Sequence, residues 1–222
     1  MLLQDIFINR KKELAEISSG IALGQSFIII APRRYGKTTL IKALAFGGKE
    51  KTYQSWYGID GETLANNRTF NFAGMFTDEL GNARFYDNET DNYQQDHYQL
   101  HWNEKMGEKW SSNLAFHYTK GKGYYENYKE DAKFSSYGLN PIVINGTNIN
   151  RTDLVRQKWL DNDFYGSTFA LNYTGSQKFK FTLGGAWNRY VGRHFGVLVD
   201  PLPGTEWYRS RSQKTDLTLY AK

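Results

Sequence analysis

Apolar and polar side chains alternate strictly along the stretch from Asp96 to Lys120. The apolar and aromatic set consists of Tyr98, Leu100, Trp102, Leu114, Phe116 and Tyr118. The residues between them are Gln99, His101, Asn113, Ala115 and His117. A period of two places the two sets on opposite faces of a strand. The short polar stretch from Asn103 to Lys109 contains Gly107, which suits a tight connection. The pattern predicts an amphipathic β-hairpin, whose apolar face is covered either by a protein core or by lipid.

The same alternation recurs after residue 47 and predicts six strands: Lys49 to Tyr57, Tyr93 to Asn103, Lys109 to Lys120, Asp161 to Thr174, Gln177 to Tyr190 and Ser210 to Lys222. Short turns at 104–108 and 175–176 alternate with long polar links at 58–92, 121–160 and 191–209. Compact soluble domains rarely carry several such links. Outer-membrane barrels combine short turns on one side with long loops on the other, and strands of about 9–14 residues suit a tilted bilayer crossing. The predicted fold is mainly β, an antiparallel meander of the transmembrane-barrel type, incomplete because a closed barrel needs at least about eight strands.

The composition is polar on average yet rich in aromatic residues. Aromatic side chains make up 16 % of the 222 residues, while the apolar share is 40 % and the mean hydropathy is −0.66. This combination is typical of a membrane barrel and unusual for a soluble core. The net charge of +5 is concentrated in residues 1–50, so a basic surface for nucleic acid is not predicted. The chain has no cysteine and no apolar run of about 20 residues, so neither thiol chemistry nor a membrane-spanning helix is predicted.

Residues 1–46 follow a different pattern. Arg10 to Ile21 has helical spacing, and Ser26 to Ile30 is the short apolar run of a buried parallel strand. A loop over 31–38 and a helix over Thr39 to Phe46 are predicted to follow. This is the strand–loop–helix order of a phosphate-binding P-loop, so a short α/β P-loop segment over residues 1–46 is predicted to precede the β meander of residues 47–222.

The predicted nucleotide-binding residues are Gly36, Lys37, Thr38 and Thr39. In a P-loop the backbone N–H groups cradle the phosphates, the lysine reaches the β- and γ-phosphates and the hydroxyl binds Mg²⁺. Together with Phe7 to Arg10 and the Arg33-Arg34-Tyr35 insert, this segment resembles the N-terminus of AAA-type ATPases of the archaeal ATPase family. The resemblance implies ATP and Mg²⁺ as cofactors.

ATP hydrolysis is not predicted. A P-loop NTPase needs a second acidic residue at a strand end to hold Mg²⁺. The candidate for that role is Asp200, about 160 residues downstream and directly before Pro201. No alternation of strands with amphipathic helices follows residue 46, so the α/β sheet of an ATPase is not completed.

Residues 47–222 carry several runs that belong together: Lys51-Thr52-Tyr53-Gln54, Trp56-Tyr57-Gly58, Arg84-Phe85-Tyr86, Asp91 to Tyr98, His117 to Glu126, Asn188-Arg189-Tyr190 and Gly192 to Gly196. They resemble the barrel of a TonB-dependent outer-membrane receptor of the Bacteroidetes type. That resemblance implies a 22-stranded barrel around a plug, importing a bulky ligand. It also implies outer-membrane lipid, the TonB energy-coupling system and a surface lipoprotein of the SusD type as partners.

The two parts resemble unrelated families, so the chain is interpreted as composite, with a junction near Phe46-Gly47-Gly48. A gene-prediction error, a recombination product and a deliberate fusion all fit that interpretation. No signal peptide, plug or energy-coupling box is recognised, and the pattern stops at Lys222 without a terminal aromatic residue. The resemblance implies the outer membrane, whereas the chain as written is expected to stay in the cytoplasm, and transport by this fragment alone is not expected.

Three functions remain open from the sequence. The first is a barrel fragment of a TonB-dependent transporter, the second an ATP-binding P-loop protein, and the third a soluble antiparallel β protein with a binding role. No metal site is predicted, because His97 and His101 lie four residues apart on a strand, about 13 Å. The acidic residues Asp87, Glu89 and Asp91 are interpreted as a solvated loop in preference to a Ca²⁺ site.

Overall fold

Strands account for most of the chain. The structure, a computed structural model, describes residues 31–32, 39–175 and 179–222. Its strands are β1 (Ala31–Pro32), β2 (Thr39–Tyr53), β3 (Met75–Thr77), β4 (Ala83–Phe85), β5 (Thr90–Met106), β6 (Trp110–Lys133), β7 (Ile142–Ile144), β8 (Thr147–Ile149), β9 (Arg151–Tyr173), β10 (Phe181–Asp200) and β11 (Glu206–Ala221). A short helix, α1 (Gly61–Asn66), and a 3₁₀ turn at Phe134–Tyr137 lie in the connections. The predicted mainly β fold is confirmed.

One antiparallel sheet contains all the long strands, in the order β1-β2-β5-β6-β9-β10-β11. Six of them are long and follow one another as a meander, and β1 adds two residues at one edge. The β3–β4 and β7–β8 pairs are small separate hairpins. Within the described part of the chain, β1 and β11 lie at opposite edges, so the sheet does not close into a barrel.

The predicted hairpin around residue 107 is confirmed, together with its apolar face. Tyr98 pairs with Tyr118, Leu100 with Phe116, and Trp102 with Leu114. Paired residues of an antiparallel sheet point to the same side, so all six side chains share one face. The strands extend further than predicted into the connection between them. The observed turn consists of residues 107–109 and begins with Gly107 at a φ of 76°.

The strands are longer than the alternation predicted, and two of the predicted links are therefore wrong. Of the link at 121–160, residues up to 133 belong to β6 and residues from 151 belong to β9, which leaves a connection of 134–150. The link at 191–209 shrinks to 201–205 between β10 and β11. The link at 58–92 is a real connection, running from residue 54 to 89 and containing α1 and the β3–β4 hairpin.

The helix predicted over Thr39 to Phe46 is wrong, because this segment is the first half of β2. It pairs with β5 along its whole length, with Ile41 opposite Trp102 and Phe46 opposite His97. The segment is apolar at every position except Thr39 and Lys42, so its local pattern does not separate a strand from a helix. Pairing along β5 outweighs a helix propensity of a few tenths of a kcal/mol per residue. The strand also continues without a break across the proposed junction at Gly47-Gly48.

The two ends of the sheet differ. At one end, here called the turn end, short connections at 107–109 and 174–180 join the strands. At the other, the loop end, lie the connections 54–89, 134–150 and 201–205. The fully buried apolar cluster of Tyr137, Leu154 and Leu198 sits at the loop end, beneath the 3₁₀ turn. None of the helices in the described part of the chain has the length and apolar character to span a bilayer.

Candidate functional site

One face of the sheet is apolar over the strands near the turn end, and we call it the apolar face. The register aligns its members in rows: Ile41, Tyr98, Leu100, Trp102, Leu114, Phe116, Tyr118, Tyr165, Phe169, Leu171, Leu183, Trp187, Leu217 and Leu219. Many of these side chains are exposed, with Leu217 at 67 %, Leu219 at 66 % and Tyr98 at 50 %. Soluble monomers rarely leave so continuous an apolar surface in water.

Aromatic side chains border the apolar face on both sides. Towards the turn end, the rings of Trp110 and Tyr173 lie 4.7 Å apart. Towards the loop end, Tyr98 and Tyr118 are stacked with their ring centroids 6.1 Å apart. Trp110 and Tyr118 are eight residues apart on β6, about 26 Å along an untilted strand. That spacing is comparable with the apolar band of about 25 Å between the aromatic girdles of outer-membrane barrels.

A row of charged side chains closes the apolar face towards the loop end. Lys120 contacts Asp161 and lies 3.1 Å from Asp163, and Arg193 lies 2.6 Å from Asp163 and 3.2 Å from Asp161. Tyr118 donates a hydrogen bond of 2.7 Å to the same Asp163. Two cations therefore neutralise two carboxylates, and the apolar surface ends at a polar boundary.

The opposite face is polar, and we call it the polar face. All four histidines lie on it, each with a partner on the same face: His97 Nδ1 lies 2.9 Å from the Thr119 hydroxyl, His101 Nε2 lies 3.1 Å from Gln99 Oε1, His117 Nε2 lies 2.9 Å from Asn188 Oδ1, and His194 Nε2 lies 3.4 Å from the Tyr190 hydroxyl. His101 and Gln99 thus share the face that the sequence predicted for them. Among the described residues, no group of His, Cys, Asp and Glu side chains could hold a metal ion.

Gly166 allows side chains to cross the polar face. It stands between His117 on β6 and Asn188 on β10, whose hydrogen bond passes over it. A Cβ atom built at Gly166 would lie 2.6 Å from Asn188 Oδ1 and 2.8 Å from His117 Nε2 and would overlap the Trp187 carbonyl. A side chain at this position would therefore displace the hydrogen bond between His117 and Asn188, which links β6 to β10 across β9.

A shallow concavity of about 580 Å³ lies on the polar face, lined by Tyr93, Gln95, His97, Gln99, His117, Thr119, Gly121, Asn162, Phe164 and Tyr190. Within it, the Tyr190 hydroxyl donates to Asn162 Oδ1 at 2.8 Å, and Asn162 Nδ2 donates to the Tyr93 hydroxyl at 3.4 Å. Its lining contains amide, hydroxyl and imidazole groups and no carboxylate or ammonium group. Such a surface suits water or a neutral, hydrogen-bonding solute.

Buried polar side chains fasten the 54–89 connection to the sheet. Glu89 is 2 % exposed, and Asn127 is fully buried and donates to Glu89 Oε1 at 2.6 Å and to Gln54 Oε1 at 2.8 Å. The second Glu89 oxygen accepts from the backbone N–H of Tyr128 at 3.0 Å. The interpretation of Glu89 as part of a solvated loop is therefore wrong, because the carboxylate bonds across to β6.

A second buried carboxylate, Glu126, accepts three hydrogen bonds. They come from the Tyr86 hydroxyl at 2.6 Å, Asn88 Nδ2 at 2.6 Å and Gln157 Nε2 at 2.7 Å. Burial, followed by the hydrogen bond to Glu126, raises the pKa of the Tyr86 phenol above its ordinary value. The connection is thus held on β6 by neutral donors around two carboxylates, the arrangement that buried charges require.

Of the four predicted nucleotide-binding residues, the structure describes Thr39. Gly36, Lys37 and Thr38 lie outside the described residues, as do the predicted helix and strand before them. Thr39 begins β2 opposite Glu104, at the turn end. Asp200, the candidate second acidic residue, ends β10 at the loop end. Thr39 and Asp200 therefore lie at opposite ends of the sheet.

Sequence reasoning missed the buried polar residues at the loop end. Gln54, Glu89, Glu126 and Asn127 stand in segments where both faces are polar, so alternation gave no sign of burial. The same holds for the cationic residues on β6 and β9 that are described below. No protein-family model, no curated protein and no solved structure matches this chain.

Proposed function

We propose that the sheet is part of the wall of a TonB-dependent outer-membrane transporter, with its apolar face against lipid and its polar face towards the pore. The observation that carries the proposal is the continuous, exposed apolar face bordered by aromatic rows. Covering that face removes apolar surface from water, which favours association with lipid by about 25 cal/mol per Å². The spanning segments are the parts of the strands that bear this face.

The lengths of these segments support the proposal. On β6 the apolar face runs over residues 110–119, and on β9 over 164–173. Ten residues per strand match the roughly 9–11 residues that a tilted strand needs to cross the hydrocarbon core. The connections 54–89, 134–150 and 201–205 then project from the loop end on the outer side, where they would contact the ligand. Two of these three connections, 54–89 and 134–150, are long, as are the loops on the outer side of outer-membrane barrels.

The partners of this proposal follow from the resemblance. They are outer-membrane lipid, the TonB energy-coupling system and a surface lipoprotein of the SusD type. In the described part of the chain, the outer edges of β1 and β11 have no neighbouring strand, and a closed barrel requires further strands to pair with them. The chain alone is therefore proposed as a structural part of a transporter and not as a transport-competent unit.

The ATP-binding and soluble alternatives gain no support from the sheet. A strand at Thr39–Tyr53 replaces the helix that would follow a P-loop. A soluble binding protein would need a partner over the exposed face. Neither alternative accounts for the two aromatic rows.

Far-UV circular dichroism of the refolded chain, in plain buffer and in uncharged detergent micelles, tests the proposal. We expect strand signal in micelles and aggregation or disorder in buffer. A folded monomer in plain buffer would contradict the proposal and favour the soluble binding protein. ATP titration of wild type and of Lys37→Ala in the same samples tests the remaining alternative, which requires binding that the substitution abolishes.

A further inference from the structure

Three cationic side chains cluster on the polar face at the loop end, outside the spanning segments. Arg156 and Lys158 are two residues apart on β9, so they point to the same side. On the neighbouring β6, Asn127 pairs with Arg156 and Leu154 with Lys129, which places Lys129 diagonally next to Arg156. Diagonal neighbours on one face lie within reach of long side chains.

Two of these cations, Arg156 and Lys158, lie close to the indole ring of Trp207. Lys158 Nζ lies 5.8 Å and Arg156 Cζ 5.7 Å from the centre of the Trp207 ring. Lys158 Nζ also lies 5.7 Å from the centre of the Tyr125 ring. The indole fits there because Gly196 has no side chain, since a Cβ atom at Gly196 would overlap the ring. Arg156 is further oriented by a hydrogen bond of 3.1 Å to the Tyr137 hydroxyl.

The charge of this cluster is not compensated by a carboxylate. Elsewhere in the described chain, Arg84, Lys120, Arg151, Arg193 and Arg209 each contact a carboxylate. No described carboxylate lies within 4.0 Å of the cationic groups of Lys129, Arg156 or Lys158. Glu89, the acidic residue that acts on Lys129, is engaged by Asn127 and by the Tyr128 backbone.

The directions of the pKa shifts of Lys129 and Lys158 agree with a cluster of positive charges that no carboxylate compensates. Burial, followed by the charge of Arg156, lowers the pKa of Lys129 and of Lys158. The buried Nε of Arg156 and Nε1 of Trp207 have no acceptor among the described residues. Unpaired hydrogen-bond donors and neighbouring positive charges are stabilised when an anionic oxygen group binds among them.

We propose that Lys129, Arg156 and Lys158 form a binding site for an oxyanion, a carboxylate or phosphate group carried by a solute that reaches the polar face. The three partly exposed cations supply charge, and Trp207 and Tyr137 hold two of them in place. The site does not depend on the lipid-facing assignment, because it lies on the other face and beyond the spanning segments. It adds an anionic class of ligand to a face whose concavity suits neutral ones.

Isothermal titration calorimetry of the full chain in uncharged micelles, with inorganic phosphate as the probe, tests the site. We expect saturable binding by wild type and about tenfold weaker binding by Lys158→Gln. Lys158→Arg keeps the charge and is expected to stay within about threefold of wild type. Citrate in place of phosphate tests whether a carboxylate serves as well.

Lys122→Gln is the matched control. Lys122 also stacks on an indole, with Nζ 5.8 Å from the centre of the Trp159 ring, but it lies on the same side as the apolar face. Its substitution should leave phosphate binding unchanged. Absence of saturable binding by wild type, or equal weakening by Lys122→Gln and Lys158→Gln, would overturn the site. Circular dichroism of the same samples separates this failure from that of the proposed function, because strand signal without phosphate binding overturns the site alone.

Discussion

At the scale of single residues, hydrogen bonds between buried polar side chains hold the 54–89 connection on the sheet. Glu89 and Glu126 are buried, and every hydrogen bond described for them comes from a neutral donor. A hydrogen bond to a charged group contributes about 1.5–3 kcal/mol, and a buried carboxylate that loses donors pays the cost of desolvation. The attachment of the 54–89 connection is therefore sensitive to single deletions of a donor.

Tyr86→Phe removes one donor from Glu126 without changing the ring. We expect the free energy of unfolding in micelles to fall by about 1–3 kcal/mol near neutral pH. Because the folded chain raises the pKa of Tyr86, this contribution is fully present below the unfolded value of about 10 and is lost as the pH rises above it. The difference between wild type and variant should therefore shrink in urea titrations above about pH 10.

Tyr57→Phe is the control for this experiment. The Tyr57 side chain is 51 % exposed, and no hydrogen bond to its hydroxyl is described. Its substitution should change the free energy of unfolding by less than about 0.5 kcal/mol at any pH. A Tyr86→Phe effect that stays constant through alkaline pH would contradict the role assigned to its hydroxyl.

At the scale of elements, the alternation of apolar and polar residues predicted strands only where the two faces of a strand differ in polarity. The hairpin of β5 and β6 was predicted with its apolar face, because Leu100 and Phe116 belong to an apolar set that alternates with a polar one. Residues 121–133 and 151–160 are equally extended, but polar and apolar side chains are mixed on both of their faces, so they were predicted as links. Burial of Asn127 and the clustering of Lys129 with Arg156 depend on pairing between strands, which a local pattern does not contain.

The same limit explains the error at β2. Ile41, Ala43 and Ala45 alternate with Leu40, Lys42 and Leu44, but this run also spaces helically and follows a P-loop-like sequence. The paired strand β5 decides between the two, and it lies about fifty residues away in the chain. The candidate nucleotide site was predicted from local order alone, and the described part of it, Thr39, is not helical.

Phe169→Lys and Thr168→Lys test the two faces at one point of β9. The residues are neighbours, both are exposed, and they point to opposite sides. A lysine on the lipid side near the bilayer midplane costs about 2–4 kcal/mol. We expect Phe169→Lys to destabilise the chain in lipid vesicles by that amount in urea titrations, and Thr168→Lys to cost less than about 1 kcal/mol. Equal costs for the two variants would contradict the assignment of the faces.

At the scale of the whole molecule, one sheet changes character along its strands. Near the turn end it has an apolar and a polar face, and beyond the ion pairs of Lys120 with Asp161 and Asp163 both faces mix polar with apolar or aromatic side chains. The fully buried apolar cluster lies at the loop end, so the apolar face has no core of its own. We propose that lipid over the turn-end half and water around the loop-end half account for this division.

Site-directed spin labelling along residues 164–173 of β9 tests this account most directly. The chain has no cysteine, so a single introduced cysteine at each position except Gly166, where a side chain would displace the hydrogen bond between His117 and Asn188, carries the label. In lipid vesicles we predict that labels at 165, 167, 169, 171 and 173 collide with oxygen, whereas those at 164, 168, 170 and 172 collide with a water-soluble nickel chelate. Equal access of the chelate to labels at 168 and 169 would contradict the lipid-facing assignment.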